Sequence, residues 1–256
     1  MLRELDRGVS SRVYLASDGK RLAAAKLFAP RNAQRARREL EVGQGLKHPN
    51  LNPVTEAFEL NGHPGVLMPL VPGVRLTAWL ASGQGIEQIL STLAGVADAL
   101  SQLHSIGVVH RDIKPENILI GGGPGRAPHA TLLDFDLAVR IGEQAPPSVA
   151  GTIAYLSPEQ ARAEAARPAA DLYSFGALLY QALTGQVPFT GSVPEVLSAH
   201  AKQEPLRPSV LRAELQPLDE LLLGLLAKRP EDRPAGAAEL ATALRSAAAG
   251  MVVDPV

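Results

Sequence analysis

Within HRDIKPEN, residues 110–117, the chain places a carboxylate, an ammonium and an amide inside six residues, from Asp112 to Asn117. A carboxylate can accept a hydroxyl proton, a lysine can neutralise a moving phosphoryl group, and an amide oxygen can bind Mg²⁺. Pro115 stiffens the chain between them. Taken alone, the stretch also reads as a solvated polar loop. In LLDFDLAVR, residues 132–140, Asp134 follows an apolar run as a metal-binding carboxylate at a strand end would. Lys26 stands inside the apolar AAAKLF, residues 23–28. A lone lysine on a strand is most often a solvated edge charge. GGGPGRAPHA, residues 121–130, is glycine-rich, but no helix follows it, so a hairpin connection is the better reading than a phosphate cradle.

These groups need elements to hold them. SRVYLAS and RLAAAKLF read as strands around an Asp18-Gly19 turn. Residues 32–46 read as a basic amphipathic helix with Asn32 as a candidate N-cap, broken by HPN at 48–50. GVLMPLV, residues 65–71, is a further strand, ended by Pro72-Gly73. From residue 86 the texture changes. Ile86, Ile89, Leu90, Leu93, Ala97, Leu100 and Leu103 share one helical face that ends at Gly107. Residues 172–185, 218–228 and 237–247 read as further helices. A strand-rich opening and a helix-rich remainder predict an α+β fold in two unequal lobes, with a cleft where strand 65–71 meets the join.

The 256 residues carry 25 Lys+Arg against 26 Asp+Glu, a balance that asks for neither nucleic acid nor an anionic membrane as main partner. There is no cysteine, which excludes disulfides and thiolate metal sites. The opening MLRELDRGVS lacks the apolar core of a signal peptide, and no uncharged apolar run approaches the length of a membrane span. A soluble, cytoplasmic chain without a membrane span is expected.

The order HRDIKPEN resembles the catalytic loop of eukaryotic-like (Hanks-type) serine/threonine protein kinases of the bacterial type, and further motifs line up over nearly the whole chain. The resemblance implies a two-lobed fold: a small antiparallel-sheet N-lobe with one helix, residues 1–71 with the hinge, and a larger, mainly helical C-lobe, residues 72–256. It implies ATP and Mg²⁺ or Mn²⁺ as cofactors and protein hydroxyls as substrates. Asp112 would then be the base or orienting carboxylate, Lys114 would contact the γ-phosphate, and Asn117 and Asp134 would hold the metal. Lys114, two residues beyond Asp112, is the serine/threonine-specific form, and Arg111 marks a type whose activation segment is commonly steadied by phosphorylation. Lys26 would hold the α- and β-phosphates. Its helix partner would be Glu39, nine residues before His48, with Glu41 the alternative. Met68 would be the gatekeeper, and the Pro69 carbonyl and Val71 N–H would bind adenine. Val13, Ala24 and Leu119 would sandwich the ring. GTIAYLSPEQ, residues 151–160, resembles the end of the activation segment, with Ser157 in place of the usual alanine. There Thr152 would bridge Asp112 and Lys114, and Glu159 would pair with Arg233. Asp171 would hold the catalytic loop backbone, and Ser148 is the candidate phosphorylation site. Arg31, Arg35, Arg37 and Arg38 read as a solvated helix face, with docking of a phosphorylated segment as the alternative.

Three departures stand out. The phosphate-covering loop puts Asp6, Gly8 and Ser11 at three glycine sites, which predicts weakened ATP binding. Gly43 stands where the resemblance implies a large apolar side chain stacked with Phe135 and His110, so a poorly fixed helix and conditional Lys26–Glu39 pairing are expected. Asp136 replaces a glycine and gives up glycine's freedom at positive φ. An active kinase, a pseudokinase scaffold and a small-molecule phosphotransferase are the readings to separate. The segment from Thr152 to Arg233 weighs against the last.

Overall fold

The computed structural model describes residues 1–8, 10–123, 125–144 and 153–251. Its first part is an antiparallel sheet of β1 (Arg3–Arg7), β2 (Ser11–Ser17), β3 (Leu22–Phe28), β4 (Glu56–Leu60) and β5 (His63–Pro69), in the order β1-β2-β3-β5-β4. The turn between β2 and β3 forms because Asp18 Oδ1 accepts the N–H groups of Lys20 and Arg21, both at 2.8 Å, while Gly19 takes φ 91°. β3 lies between β2 and β5, so its small residues Ala24 and Ala25 and its Lys26 are all buried.

Helix α1 (Ala33–Gly43) lies against this sheet. Ala36, Glu39, Leu40 and Gly43 recur at helical spacing, and all but the partly buried Leu40 are fully buried. The helix is shorter than the expected 32–46. Pro30 opens a 3₁₀ turn over Pro30–Asn32, and Asn32 holds the N-cap position of α1 without a side-chain capping bond. Its Nδ2 donates instead to the Ser10 carbonyl at 2.9 Å.

The expectation of a loose α1 is overturned at Gly43. A Cβ there would lie 2.5 Å from Cγ2 and 3.0 Å from Cβ of Val54, so Val54 already fills the space a larger side chain would take. The Val54 N–H also donates to the Gly43 carbonyl at 3.0 Å, which satisfies one of the orphan acceptors of the helix end. Ala24, Phe28, Ala36, Val54, Val66 and Met68 form a compact apolar cluster between sheet and helix.

The chain leaves β5 through residues 70–73 and enters β6 (Val74–Arg75), α2 (Leu76–Ala81) and the long α3 (Ile86–Ser105). Short strands follow: β7 (Val108–Val109), β8 (Ile118–Gly121), β9 (His129–Leu132) and β10 (Val139–Arg140). β8 and β9 pair antiparallel, so the glycine-rich stretch between them is a hairpin connection. The rest is helical: α4 (Pro158–Ala161), α5 (Pro168–Thr184), α6 (Val193–Lys202), α7 (Pro208–Leu211), α8 (Asp219–Leu225) and α9 (Ala237–Gly250). The apolar face foreseen on α3 is buried, with Ile86 at its margin, and α9 packs along it. α5 starts at Pro168, four residues before the expected 172, because proline suits the first helical position. α5 and α8 approach closely at Gly176, where a Cβ would meet Leu225 Cβ at 2.6 Å. This core is separate from the cluster under the sheet, which gives the two-lobed, kinase-like α+β fold. Among the described residues no helix is long and apolar enough to cross a membrane.

Candidate active site

Between the two cores lies a cavity of about 430 Å³. Val13 and Ala24 from the sheet, Leu119 from β8, and Met68, Pro69, Leu70 and Val71 at the end of β5 line it. Lys26, Glu39, Asn117 and Asp134 line its polar end. Strand alternation explains part of this: Ala24 and Lys26 are two residues apart on β3 and so face the same way. Gly8 does not line the cavity, and its N–H closes the β1–β2 turn onto the Ser11 carbonyl at 2.9 Å.

Lys26 is almost wholly buried. Its Nζ lies 2.6 Å from Glu39 Oε2 and 2.5 Å from Asp134 Oδ1. Glu39, not the exposed Glu41, is therefore the partner. Burial alone would discharge the ammonium, but Asp134, Glu39 and Asp136 around it raise its pKa instead. Burial would likewise raise Asp134, yet Lys26 holds its carboxyl down at about 2. Three carboxylates face this one ammonium, and Glu39 is raised, by burial first and against the pull of Lys26.

Asp134 has φ 68°, the left-handed region. In this conformation the positive φ of the turn falls on Asp134, and Asp136 takes none. Asp136 is buried, its N–H donates to Asp134 Oδ1 at 3.2 Å, and its Oδ2 accepts from Ser10 Oγ at 3.1 Å. Arg35 Nη1 lies 3.5 Å from that same oxygen, so Arg35 is not part of a purely solvated face. Arg38 likewise donates to Glu143 at 2.8 Å. Burial and then Asp134 raise the Asp136 carboxyl.

The loop 110–117 is shaped from beneath by Asp171. Its carboxylate accepts the N–H groups of His110 and Arg111 at 2.8 Å each and lies 2.8 Å from His104 Nε2. Burial opposes this charge, but His104 and the backbone donors keep the carboxyl below the usual range. Arg111 takes φ 67°, uncommon for a residue with a Cβ. Asp171, together with the Gln160 Nε2 bond to the Arg111 carbonyl at 2.9 Å, holds it there. Lys114 Nζ sits 2.9 and 2.7 Å from the two Asp112 oxygens. Asn117 Nδ2 donates to the Asp112 carbonyl and to its Oδ2, both at 2.8 Å, which leaves the Asn117 amide oxygen as the acceptor available to a ligand. His110 and Phe135 pack edge to face with centroids 5.6 Å apart.

Glu159 and Arg233 form a buried bidentate pair at 2.5 and 3.0 Å, and Arg233 also donates to the Ala169 and Ala227 carbonyls. Ser157 caps α4 in a capping box with Gln160, as its S-x-x-Q spacing allows. Ser148 and Thr152 lie outside the described residues.

Some site residues were not foreseen. Asn52 lines the cavity and donates to the Pro69 carbonyl at 3.3 Å. Arg75 bridges the cavity mouth, donating to Asp6 Oδ2 on one side and to the Glu116 carbonyl on the other. Nothing in the sequence around Arg75 marks it. Asp6 was read at the first glycine site of the phosphate-covering loop, with no sign of its pairing with Arg75.

A metal would find hard oxygen donors here, the Asp134 carboxylate and the Asn117 amide oxygen, which suits a small divalent cation that takes its remaining ligands from phosphate and water. Among the described residues no cluster of three His, Cys, Asp or Glu is placed to hold an ion.

Comparison with known proteins agrees with this geometry. The model of the protein kinase domain family matches residues 1–244. The chain is 34% identical, over 97% of its length, to the serine/threonine-protein kinase Pkn1 of Myxococcus xanthus, and 35% identical, over 80%, to the serine/threonine-protein kinase PknB of Mycolicibacterium smegmatis. It spans 38% and 34% of the length of these two relatives. The crystal structure of the PknI kinase domain of Mycobacterium tuberculosis, in a point-mutant form, superposes with a TM-score of 0.76 at 25% identity, covering 97% of this chain and 94% of that one.

Proposed function

The chain belongs to the protein kinase domain family, and on that premise we propose that it transfers the γ-phosphate of ATP to serine or threonine hydroxyls of protein substrates. The observation that carries this reading is the ammonium of Lys26 fixed between Glu39 and Asp134 at the polar end of an apolar cavity, with Asn117 joining that cavity to Asp112. In this reading residues 1–71 and 72–256 are the two lobes, and adenine enters between Val13 and Ala24 above and Leu119 below. The Pro69 carbonyl and the Val71 N–H are its hydrogen-bond partners, and Met68 closes the back.

Lys26 neutralises the α- and β-phosphates, and Glu39 keeps it in place. Asp112 orients the substrate hydroxyl and receives its proton, while Lys114, already within bonding distance of Asp112, meets the γ-phosphate. Asn117 and Asp134 hold the metal, Mg²⁺ or Mn²⁺, whose charge offsets that of the phosphates when it is bound. The main contribution of the protein is positioning and charge neutralisation rather than covalent chemistry. Gly8 keeps the β1–β2 turn tight beside the phosphate site without lining the cavity itself. By the resemblance Thr152 would bridge Asp112 and Lys114 and Ser148 would be the phosphorylation site, both outside the described residues. Glu159, Arg233 and Asp171 are structural supports of this machinery.

Of the three departures that support a pseudokinase scaffold, the reduced glycine loop, Asp136 and Gly43, the closed Lys26–Glu39 pair and the filled space at Gly43 answer the last. The test is transfer of labelled phosphate from ATP to the chain itself or to a generic basic protein, with Mg²⁺ and with Mn²⁺, and Asp112→Asn as control. Transfer that Asp112→Asn abolishes is expected. Nucleotide binding without any transfer would refute the proposal.

A further inference from the structure

Asp136 occupies the turn just beyond Asp134, and its carboxylate gathers groups from separate parts of the fold. Ser10 Oγ, from the β1–β2 turn, donates to Oδ2 at 3.1 Å. Arg35 Nη1, from the first turn of α1, is 3.5 Å from the same oxygen, and Lys26 Nζ of β3 is 3.9 Å away. The Ser10 carbonyl is tied in turn by Asn32 Nδ2 at 2.9 Å, at the start of α1. The β1–β2 turn is thus fixed twice, by its side chain to the Asp134–Asp136 turn and by its backbone to the helix.

A glycine at 136 could make none of these contacts, and the backbone there does not demand one, since Asp136 has no positive φ. Nor does the tie block the cavity. Ser10 and Asp136 are absent from its lining, and about 430 Å³ stays open with the contacts in place. The β1–β2 turn lacks glycine at two of the sites where flexibility would let it mould itself around phosphates, so something else must place it.

We propose that Asp136 is a positioning residue for nucleotide binding: its carboxylate locks the β1–β2 turn and helix α1 to the Asp134 turn, so that the cover of the phosphate site and the Lys26–Glu39 pair are set together. The proposal rests on the kinase reading above and concerns the same site.

The experiment measures Mg²⁺-ATP affinity by titration calorimetry, and KM for ATP and kcat with a basic protein substrate, for the intact chain and for Asp136→Gly, Asp136→Asn, Ser10→Ala and the Ser10→Ala/Asp136→Gly double variant. Asp136→Gly is expected to weaken ATP binding and raise KM about tenfold, the size of one lost hydrogen bond to a charged group, with kcat changed less than about threefold. Ser10→Ala should move KM in the same direction, and the double variant should match Asp136→Gly alone, because the bond that Ser10→Ala removes is already gone once residue 136 lacks its carboxylate. Asp136→Asn keeps an acceptor for Ser10 and should recover part of the affinity. A residue with a merely structural role would lower the melting temperature and leave KM where it was. Affinity and KM within about twofold of the parent for Asp136→Gly would overturn the proposal, as would effects of Ser10→Ala and Asp136→Gly that multiply. If the parent chain binds ATP but transfers nothing, the kinase reading fails and the affinity series still decides this proposal. A parent that binds no nucleotide overturns both.

Discussion

Gly43→Ala should destabilise the protein even though alanine is the better helix former. The added Cβ would sit 2.5 Å from Val54 Cγ2 and 3.2 Å from the Val54 backbone nitrogen, and the latter cannot rotate away. Forcing a carbon into a filled site costs about 1–3 kcal/mol. Replacing glycine inside a helix returns at most about 1 kcal/mol, and less at Gly43, which is the last residue of α1. The net loss, overpacking less helix propensity, is about 1–2 kcal/mol. Val54→Ala, which removes two buried methyl groups, should cost about 2 kcal/mol by itself. Together the two should cost about 2 kcal/mol, not the sum, because the alanine Cβ enters the space that Cγ2 vacates. Equilibrium urea unfolding followed by far-ultraviolet circular dichroism reads all four corners of this cycle. Gly43 lies one helical turn beyond Glu39, so Gly43→Ala should also reduce phosphate transfer more than Val54→Ala does. Additive penalties within about 0.5 kcal/mol, or a stabilising Gly43→Ala, would show that Val54 is not what holds the helix end.

Two further outcomes test the larger lobe. Arg233→Met strands the buried Glu159 carboxylate and should cost about 3–5 kcal/mol in urea unfolding, with Glu159→Gln added on top recovering part of that loss. Equal losses in the single and double variants would mean that the stranded charge is not the cause. His200 is fully buried, and burial followed by the charge of Lys228 lowers its pKa to about 4. The folded state thus resists a proton that the unfolded chain takes up near pH ~6.5, so this contribution is complete above that pH and is lost as pH falls towards ~4, by up to about 3 kcal/mol. His200→Gln should flatten the acid limb of stability measured from about pH 7 down to about pH 4.5, and an unchanged slope would refute the assignment.

The residues that carry chemistry were readable because their types and order are constrained by what they must do. Lys26, Asp112, Asn117 and Asp134 come together as the resemblance implied, and the apolar face of α3 announced the larger core. What stayed hidden depends on contacts between distant segments. Gly43 looked like a missing side chain because its filler, Val54, comes from the loop after the helix and carries no local sign of where it points. Asp136 looked like a change in backbone freedom, whereas its carboxylate meets Ser10, more than a hundred positions earlier, and Arg35. Asn32 had the composition of a helix cap, but Pro30 had already begun a tighter turn, and its amide was drawn to the Ser10 carbonyl. Arg75 had no readable signal at all, since its partners come from β1 and from the loop after Lys114.

That arginine divides the cleft into two regions with different responses to the medium. Asp6 is exposed and Arg75 partly so, which makes the bond across the mouth weak and open to screening by salt. Screening takes hold as the Debye length shrinks to roughly 8 Å, the physiological value, and below. Lys26 and Glu39, at the cavity's polar end, are shielded from the same ions by burial. On the kinase reading, added salt should therefore loosen the bond across the mouth while the buried Lys26–Glu39 pair is left untouched, so that nucleotide exchange speeds up and the chemical step keeps its rate.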